Sequence, residues 1–295
     1  MTILITGASG LIGSRLCRTL ADSEERVVGL CCSHLISVEH NLNVDVCDIT
    51  DYDDVSTRIA LWKPDTVFHF AAHLPSTPDP DFIKVNVIGT NNLLDICYRK
   101  GVKNFIYASS MSVYSAPPVK LPVGEEHPTR PDDMYGKTKY IGELLCECYS
   151  KVMRTVVVRF SSVFGPGDNA RVAYHFIKSA ISGQAIQVDG DGSQSSDFIY
   201  VDDAVRGAIL AMEHGKSGEV YNIGSGQETS VLELAGLIAD SGSTFTDIQM
   251  SGEPATRPFR FVADIEKARK ELGYCPGDLG DGLRKYKEEV ISGQR

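Results

Sequence analysis

Tyr135 and Lys139 stand four residues apart in the run YGKTK. On a helix that spacing puts both on one face. A tyrosine hydroxyl loses its proton near pH 10, too high for a base at neutral pH. A neighbouring ammonium favours the phenolate. Bringing the phenol to neutrality takes roughly 4 kcal/mol, within reach of a partly desolvated lysine and a positively charged cofactor ring. Such a phenol can take a proton from a substrate hydroxyl and return it. Ser110, at the end of a predicted strand, would hold the reacting oxygen. A second constellation is Gly7, Gly10 and Gly13 in TGASGLIG, between an apolar run and a helical pattern through Leu16 and Leu20. Glycines there permit a tight turn and close approach of the main chain to a ligand. The helix start offers unpaired N–H groups to a pyrophosphate. The two constellations together point to nicotinamide chemistry.

These residues need a scaffold, and the pattern supplies one. Strands are predicted at Thr2–Thr6, Arg26–Cys31, Asn43–Cys47, Asp65–Ala72, Asn104–Ala108 and Thr155–Phe160. The helices between them are the one after Gly13, then Asp51–Trp62 with Asp51 as cap, Phe82–Lys100 stopped by Gly101, and Tyr135–Lys151. A Pro-rich loop spans Pro75–Pro80, and 116–133 reads as loop. Alternation with short connections predicts an α/β fold, a Rossmann-type doubly wound parallel sheet. Near Gly165-Pro166-Gly167 the rhythm changes. We therefore expect a dinucleotide-binding domain over 1–165. A smaller substrate-binding lobe is expected over 166–295, with part of 197–214 packing back on the first domain.

The chain has 295 residues and a net charge of −10, from 29 basic and 39 acidic side chains. That balance, with no basic cluster, argues against nucleic acid as a partner. No apolar run approaches the roughly 18 residues that span a bilayer. The N-terminus opens directly on a strand, without a signal-peptide pattern. None of the eight cysteines forms a Cys-x-x-Cys pair or a zinc-like spacing, so no metal is expected and the thiols read as reduced residues of a cytoplasmic protein.

The motifs TGASGLIG, Asp48-Ile49, Ala71-Ala72, SSMSVY at 109–114, YGKTK at 135–139 and VRFSSVFGPGD at 158–168 occur in order. So do GDGSQSSDFIYVDDAV, EVYNIGSG and DIEKARKELGY. Over nearly its whole length the chain resembles the extended short-chain dehydrogenase/reductases, and within them the NAD-dependent epimerase/dehydratase group acting on nucleotide sugars. The resemblance implies that Gly7, Gly10, Leu11, Ile12 and Gly13 cradle a pyrophosphate and that Asp48 and Ile49 contact adenine. It places Cys31, Ala71, Ala72, Asn86 and Ser109 beside the cofactor. Lys139 would hold the nicotinamide ribose and tune Tyr135, the acid/base. Ser110, assisted by Ser112, would bind the reacting oxygen. It also implies a homodimer formed through the helices of 82–100 and 135–151.

The chain departs from the family at several points. Cys31 stands where NAD users carry an acid for the ribose 2′-hydroxyl, and no arginine follows to attract a 2′-phosphate. NAD and NADP both remain open. Ser162 and Ser196 replace an asparagine and an arginine that contact a nucleotide sugar's diphosphate. Arg171, Arg257 and Arg260 are the candidates to bind phosphate instead. Met111-Ser112 replaces the acidic pair of the sugar dehydratases, which leaves a water elimination without its acid and base. His73 borders the expected cleft, as a ligand contact or a structural residue. Glu125 and Glu126 read as exposed. The leading reading is a nucleotide-sugar 4-epimerase. The alternatives are an NAD(P)H-dependent reductase of a sugar or small carbonyl compound, and a cofactor-binding regulatory subunit without turnover.

Overall fold

The computed structural model describes residues 1–32, 42–74, 81–114, 117–168, 171–240, 246–252 and 259–293. The chain begins with β1 (Thr2–Thr6), α1 (Leu11–Ala21), β2 (Arg26–Cys31), β3 (Leu42–Val46), α2 (Tyr52–Trp62) and β4 (Thr66–His69). A π-helical stretch, Ile83–Gly89, runs without a break into α3 (Thr90–Lys100). Then come β5 (Asn104–Ser110), α4 (Met134–Tyr149) and β6 (Arg154–Phe160). The remainder is β7 (Ser162–Phe164), α5 (Val172–Ile181), β8 (Ile186–Asp189), β9 (Ser195–Ser196), β10 (Phe198–Tyr200) and α6 (Val201–His214). It closes with β11 (Val220–Ile223), β12 (Thr229–Ser230), α7 (Val231–Asp240), β13 (Ile248–Ser251), α8 (Glu266–Leu272) and α9 (Leu279–Ser292).

Seven parallel strands form one sheet in the order β11-β6-β5-β4-β1-β2-β3. The chain runs outward from β1 through β2 and β3, then restarts on the other side of β1 with β4. The strand order therefore reverses between β1 and β4, and ligands of such sheets bind outside the carboxyl ends of the strands there. Both faces are covered, which explains the near-continuous apolar strand sequences. On one face Leu4, Val28, Val67, Phe105 and Val157 pack with Leu93, Ile96 and Cys97 of α3 and Cys146 of α4. On the other, Ile3, Ile5, Ile106 and Val158 pack with Leu16 of α1 and Ala204 and Ala208 of α6. Within 197–214, α6 lies against α1 and against β5 and β6.

The expected sheet strands are present, and β11 at its edge is one the sequence reading did not place. The expected helix over 82–100 is helical throughout, but its first two turns are π-helical rather than α-helical. Asp51 caps α2, accepting from the Asp53 and Asp54 amides at 3.0 and 3.1 Å. Gly101 ends α3 in the left-handed conformation. The predicted Pro75–Pro80 loop lies outside the described residues. Outside the main sheet, β7 pairs with β10, β9 with β12 and β8 with β13. Buried Asp197 fastens this part to the end of β11. Its carboxylate accepts from Ser161 Oγ (3.1 Å), Ser225 N (2.6 Å), Gly226 N (3.0 Å) and Ala263 N (3.1 Å). Among the described residues no helix is long and apolar enough to cross a membrane.

Candidate active site

The β1–α1 turn is built around backbone approach. Gly7 has φ +70, and a Cβ there would lie 2.6 Å from the Ala71 nitrogen, so β4's exit strand can sit directly against the turn. A Cβ on Gly13 would strike the Gly7 carbonyl. Gly10 is different: it is exposed, and a Cβ there would meet only the Gly7 oxygen, at 3.2 Å. Helix α1 starts there with no side-chain cap and no acid in its first turn. Helices α2 and α4, by contrast, are capped by Asp51 and Asp133. An uncapped, acid-free helix start behind an open glycine fits a bound pyrophosphate.

The residues expected at the adenine stand at the β3 exit. Asp48 is exposed, and its Oδ1 accepts from Thr50 N at 2.9 Å, which holds its carboxyl below the usual carboxylate range. Ile49 is buried, and its side chain fills the space a Cβ on Gly89 would take. Cys31 is buried, its thiol directed at the Asp45 carbonyl at 3.7 Å. Ala71 and Ala72 are half-buried at the end of β4.

At the other end, Asp133 caps α4 through the Gly136 amide at 2.6 Å. Tyr135 lies in the first turn of α4, half-buried, with Ser110 among the groups beside its hydroxyl. The Ser110 Oγ in turn donates to Ser112 Oγ at 3.1 Å and accepts from the Ser112 amide at 3.1 Å. Lys139, one turn on, is buried, with Nζ 4.3 Å from the Tyr107 ring centroid. Burial brings its ammonium down to about 8. Lys139 is not among the groups that shift the Tyr135 hydroxyl in the protein alone. Burial raises the phenol, and the groups opposing it are Arg171 and the Ser110 hydroxyl. The lysine is itself desolvated and lies over the Tyr107 ring.

Several expected residues turn inward. Asn86 is buried, and both its amide hydrogens are used within the protein: Nδ2 donates to His73 O (3.1 Å) and Thr138 Oγ1 (3.0 Å). Its Oδ1 accepts from His73 N at 2.7 Å. Asn86 therefore fixes the 71–73 segment against α4 and leaves no donor over for a ligand. Ser109 is buried and donates to Glu143 at 2.5 Å. Glu143 forms a buried two-pronged pair with Arg159, at 2.9 and 2.6 Å. Glu125, read as exposed, is half-buried; it accepts from Asn222 N at 2.8 Å, and burial raises its carboxyl.

The candidate phosphate-binding residues separate. Ser162 and Ser196, the two family departures, face each other with their hydroxyls 2.7 Å apart. Arg171, at the start of α5, donates to the Val163 carbonyl beside them. Arg260 is bound two-pronged to Glu228 at 2.6 and 2.7 Å, and Glu228, held also by Ser195, is pushed down to about 2. Arg257 lies outside the described residues. The His73 ring packs edge-on against Phe82 at 4.9 Å. Among the described residues no group of three or more potential metal ligands occurs. A cavity of about 340 Å³ lined by Glu126, His127, Tyr140 and Glu147 excludes Ser110, Tyr135 and Lys139 and stands apart from this chemistry.

The sequence reading missed Glu143, Arg159 and His69. The signal was a charged or titratable residue inside an otherwise apolar strand (VVVRF, TVFHF), and a glutamate four residues past Lys139 on its helical face.

Residues 3–224 match the family model described as the NAD dependent epimerase/dehydratase family. A UDP-glucose 4-epimerase of Mycolicibacterium smegmatis is 32% identical over 98% of this chain and 98% of its own length. Among solved structures, the UDP-glucose 4-epimerase of Thermotoga maritima with UDP-glucose is 30% identical, with TM-score 0.90 and full coverage of both chains. The UDP-glucuronic acid 4-epimerase of Bacillus cereus, in complex with UDP-glucuronic acid and NAD, is 29% identical, with TM-score 0.86 and 99% coverage of each.

Proposed function

Since this chain belongs to the NAD-dependent epimerase/dehydratase family, we propose that it is a nucleotide-sugar 4-epimerase of the UDP-hexose type, working with NAD. The observation that carries the reading is the juxtaposition of Tyr135 with Ser110 at the carboxyl end of β5, next to the strand β4 where the order reverses, with Lys139 one helical turn away. The relatives named for UDP-glucose and UDP-glucuronic acid support the substrate class.

Bound NAD supplies a reversible hydride acceptor at its nicotinamide ring. The protein's own residues then have these tasks. The uncapped start of α1 and Gly10 take the pyrophosphate. Lys139 takes the nicotinamide ribose and places a positive charge beneath the reacting pair. Ser110 orients the sugar hydroxyl toward Tyr135. Tyr135 accepts that proton and later returns it to the same oxygen. The Ser162–Ser196 hydroxyl pair and Arg171 line the substrate side, taking the place of the family's asparagine and arginine.

We propose further that two copies associate through α3 and α4. Both helices leave apolar side chains exposed, Ile88 and Tyr98 on the first segment and Ile141 and Leu144 on the second.

The test uses protein purified without added cofactor. It should carry tightly bound NAD and interconvert UDP-glucose and UDP-galactose as isolated. Stoichiometric consumption of NADPH in place of interconversion would make it a reductase and overturn the reading.

A further inference from the structure

His69, in the middle of the sheet, is fully buried and lies beneath the catalytic helix. Its ring contacts Phe105 and Tyr107 at 5.8 and 5.7 Å. Both its nitrogens are bonded, Nδ1 to Thr6 Oγ1 at 2.7 Å and Nε2 to Thr90 Oγ1 at 2.9 Å. The directions follow from counting protons, since a hydroxyl has one to give. Thr90 Oγ1 gives its proton to the Asn86 carbonyl at 2.7 Å, so it accepts from His69 Nε2. Thr6 Oγ1 accepts from the Ala71 amide at 3.2 Å and gives its proton to His69 Nδ1. The ring is therefore a neutral imidazole with its hydrogen on Nε2. Burial and the Lys139 ammonium both disfavour a cation there.

The chain of bonds does not stop at α3. Asn86 Nδ2 donates to Thr138 Oγ1, which gives its own proton to the Tyr135 carbonyl at 2.9 Å. Beside Thr90, the Tyr107 hydroxyl donates to the Lys139 carbonyl at 3.4 Å. One chain of bonds thus runs from the strand that carries the glycine turn to the Tyr135 carbonyl, and Tyr107, packed against the His69 ring, separately reaches the Lys139 carbonyl. The π-helical stretch matters here, because its wide turns place Asn86 in reach of both His73 and Thr138.

We propose that His69 is a positioning residue of the reaction: through Thr6 and Thr90 it fixes the register of α4, and so of Tyr135 and Lys139, against the dinucleotide cradle. The inference rests on the acid/base roles proposed above for Tyr135 and Lys139. The ring itself touches no reacting atom. It acts by holding two parts of one site at a set separation, where misplacement by about 1 Å can cost about a hundredfold in rate.

Replacing a buried histidine can take the fold with it, so the test is made at Thr90, with Thr90→Val and Thr90→Ser. Valine keeps the shape and removes both hydrogen bonds; serine keeps both. In wild type, ¹⁵N spectra should show the Nε2–H tautomer of His69, unchanged between pH 5 and 9. In Thr90→Val, amide exchange at Thr138 and Lys139 should rise about tenfold or more, and kcat with UDP-glucose should fall about tenfold with KM moving less than about threefold. Thr90→Ser should restore kcat to within about twofold. An Nδ1–H ring, or a Thr90→Val protein of lower melting temperature with unchanged exchange and kcat, would overturn the proposal. If wild type turns over no UDP-hexose, the epimerase reading fails, and the exchange result alone decides this one: faster exchange supports it and unchanged exchange ends it.

Discussion

Tyr135 and Lys139 make opposite demands on pH. In the proposed reaction Tyr135 gives up a proton, burial raises its hydroxyl, and Arg171 is the positive charge that opposes the rise. The role proposed for Lys139 needs its ammonium, and burial has brought it down to about 8. The sign follows directly: as pH rises through about 8 the ammonium is lost, and with it the charge proposed to hold the nicotinamide ribose. We expect kcat/KM to fall on the alkaline side with a midpoint near 8, and Lys139→Met to abolish that limb along with most of the activity; stopped-time assays across pH 6–10 check it. The same group has the reverse effect on folding. Its pKa is lower in the folded protein than in the unfolded chain, so the cost of burying the cation is greatest below about 8 and is relieved as pH rises above it. Tyr135→Phe removes the proton acceptor alone. Turnover should drop by about 10²–10⁴-fold, while NAD content and melting temperature stay near wild type. Equal activity in that variant would remove Tyr135 from the mechanism.

Elements decide where these residues stand, and some of their determinants lay open in the sequence while others did not. The glycine turn, the Asp51 cap, the Gly101 stop and the Tyr-x-x-x-Lys face are local rules, each readable within a few residues. The Asp133 cap on α4 is equally local, and Asp133→Ala should cost about 1 kcal/mol in urea unfolding. The π-helical turns of 83–89 were not legible, because the apolar spacing of an α-helix and of a short π-helical stretch is nearly the same. What requires the wide turns is the tertiary fit of Asn86 between His73 and α4. The Glu143–Arg159 pair joins helix α4 to strand β6, sixteen positions apart. Only the oddity of an arginine in VVVRF hinted at it. Breaking one side of such a buried pair costs about 3–5 kcal/mol, because the remaining charge is left uncompensated. Arg159→Met should therefore destabilise by that amount, and Glu143→Gln with Arg159→Met together by less than the sum of the two.

For the whole molecule, the architecture follows from alternation of strand and helix, and that much was visible from the sequence. The placement of β11 on the sheet edge and the Asp197 fastening were not, since both join segments far apart in the chain. The exposed Ile88, Tyr98, Ile141 and Leu144 lie on two helices that pack against each other. If they form the subunit interface, Ile141→Glu with Leu144→Glu should convert a dimer to a monomer in sedimentation velocity, without loss of bound NAD. A monomeric wild type at micromolar concentration would refute that surface.

The central claim is that one carbon of the sugar is oxidised and reduced again within a single closed site, with Tyr135 handling the proton. A UDP-glucose carrying deuterium on C4 tests this most directly, with the UDP-galactose product analysed by mass spectrometry and NMR. The account predicts that the label stays on C4 through interconversion in ordinary water and that Tyr135→Phe forms almost no product. Washout of the label to solvent, or product whose formation does not depend on Tyr135, would contradict it.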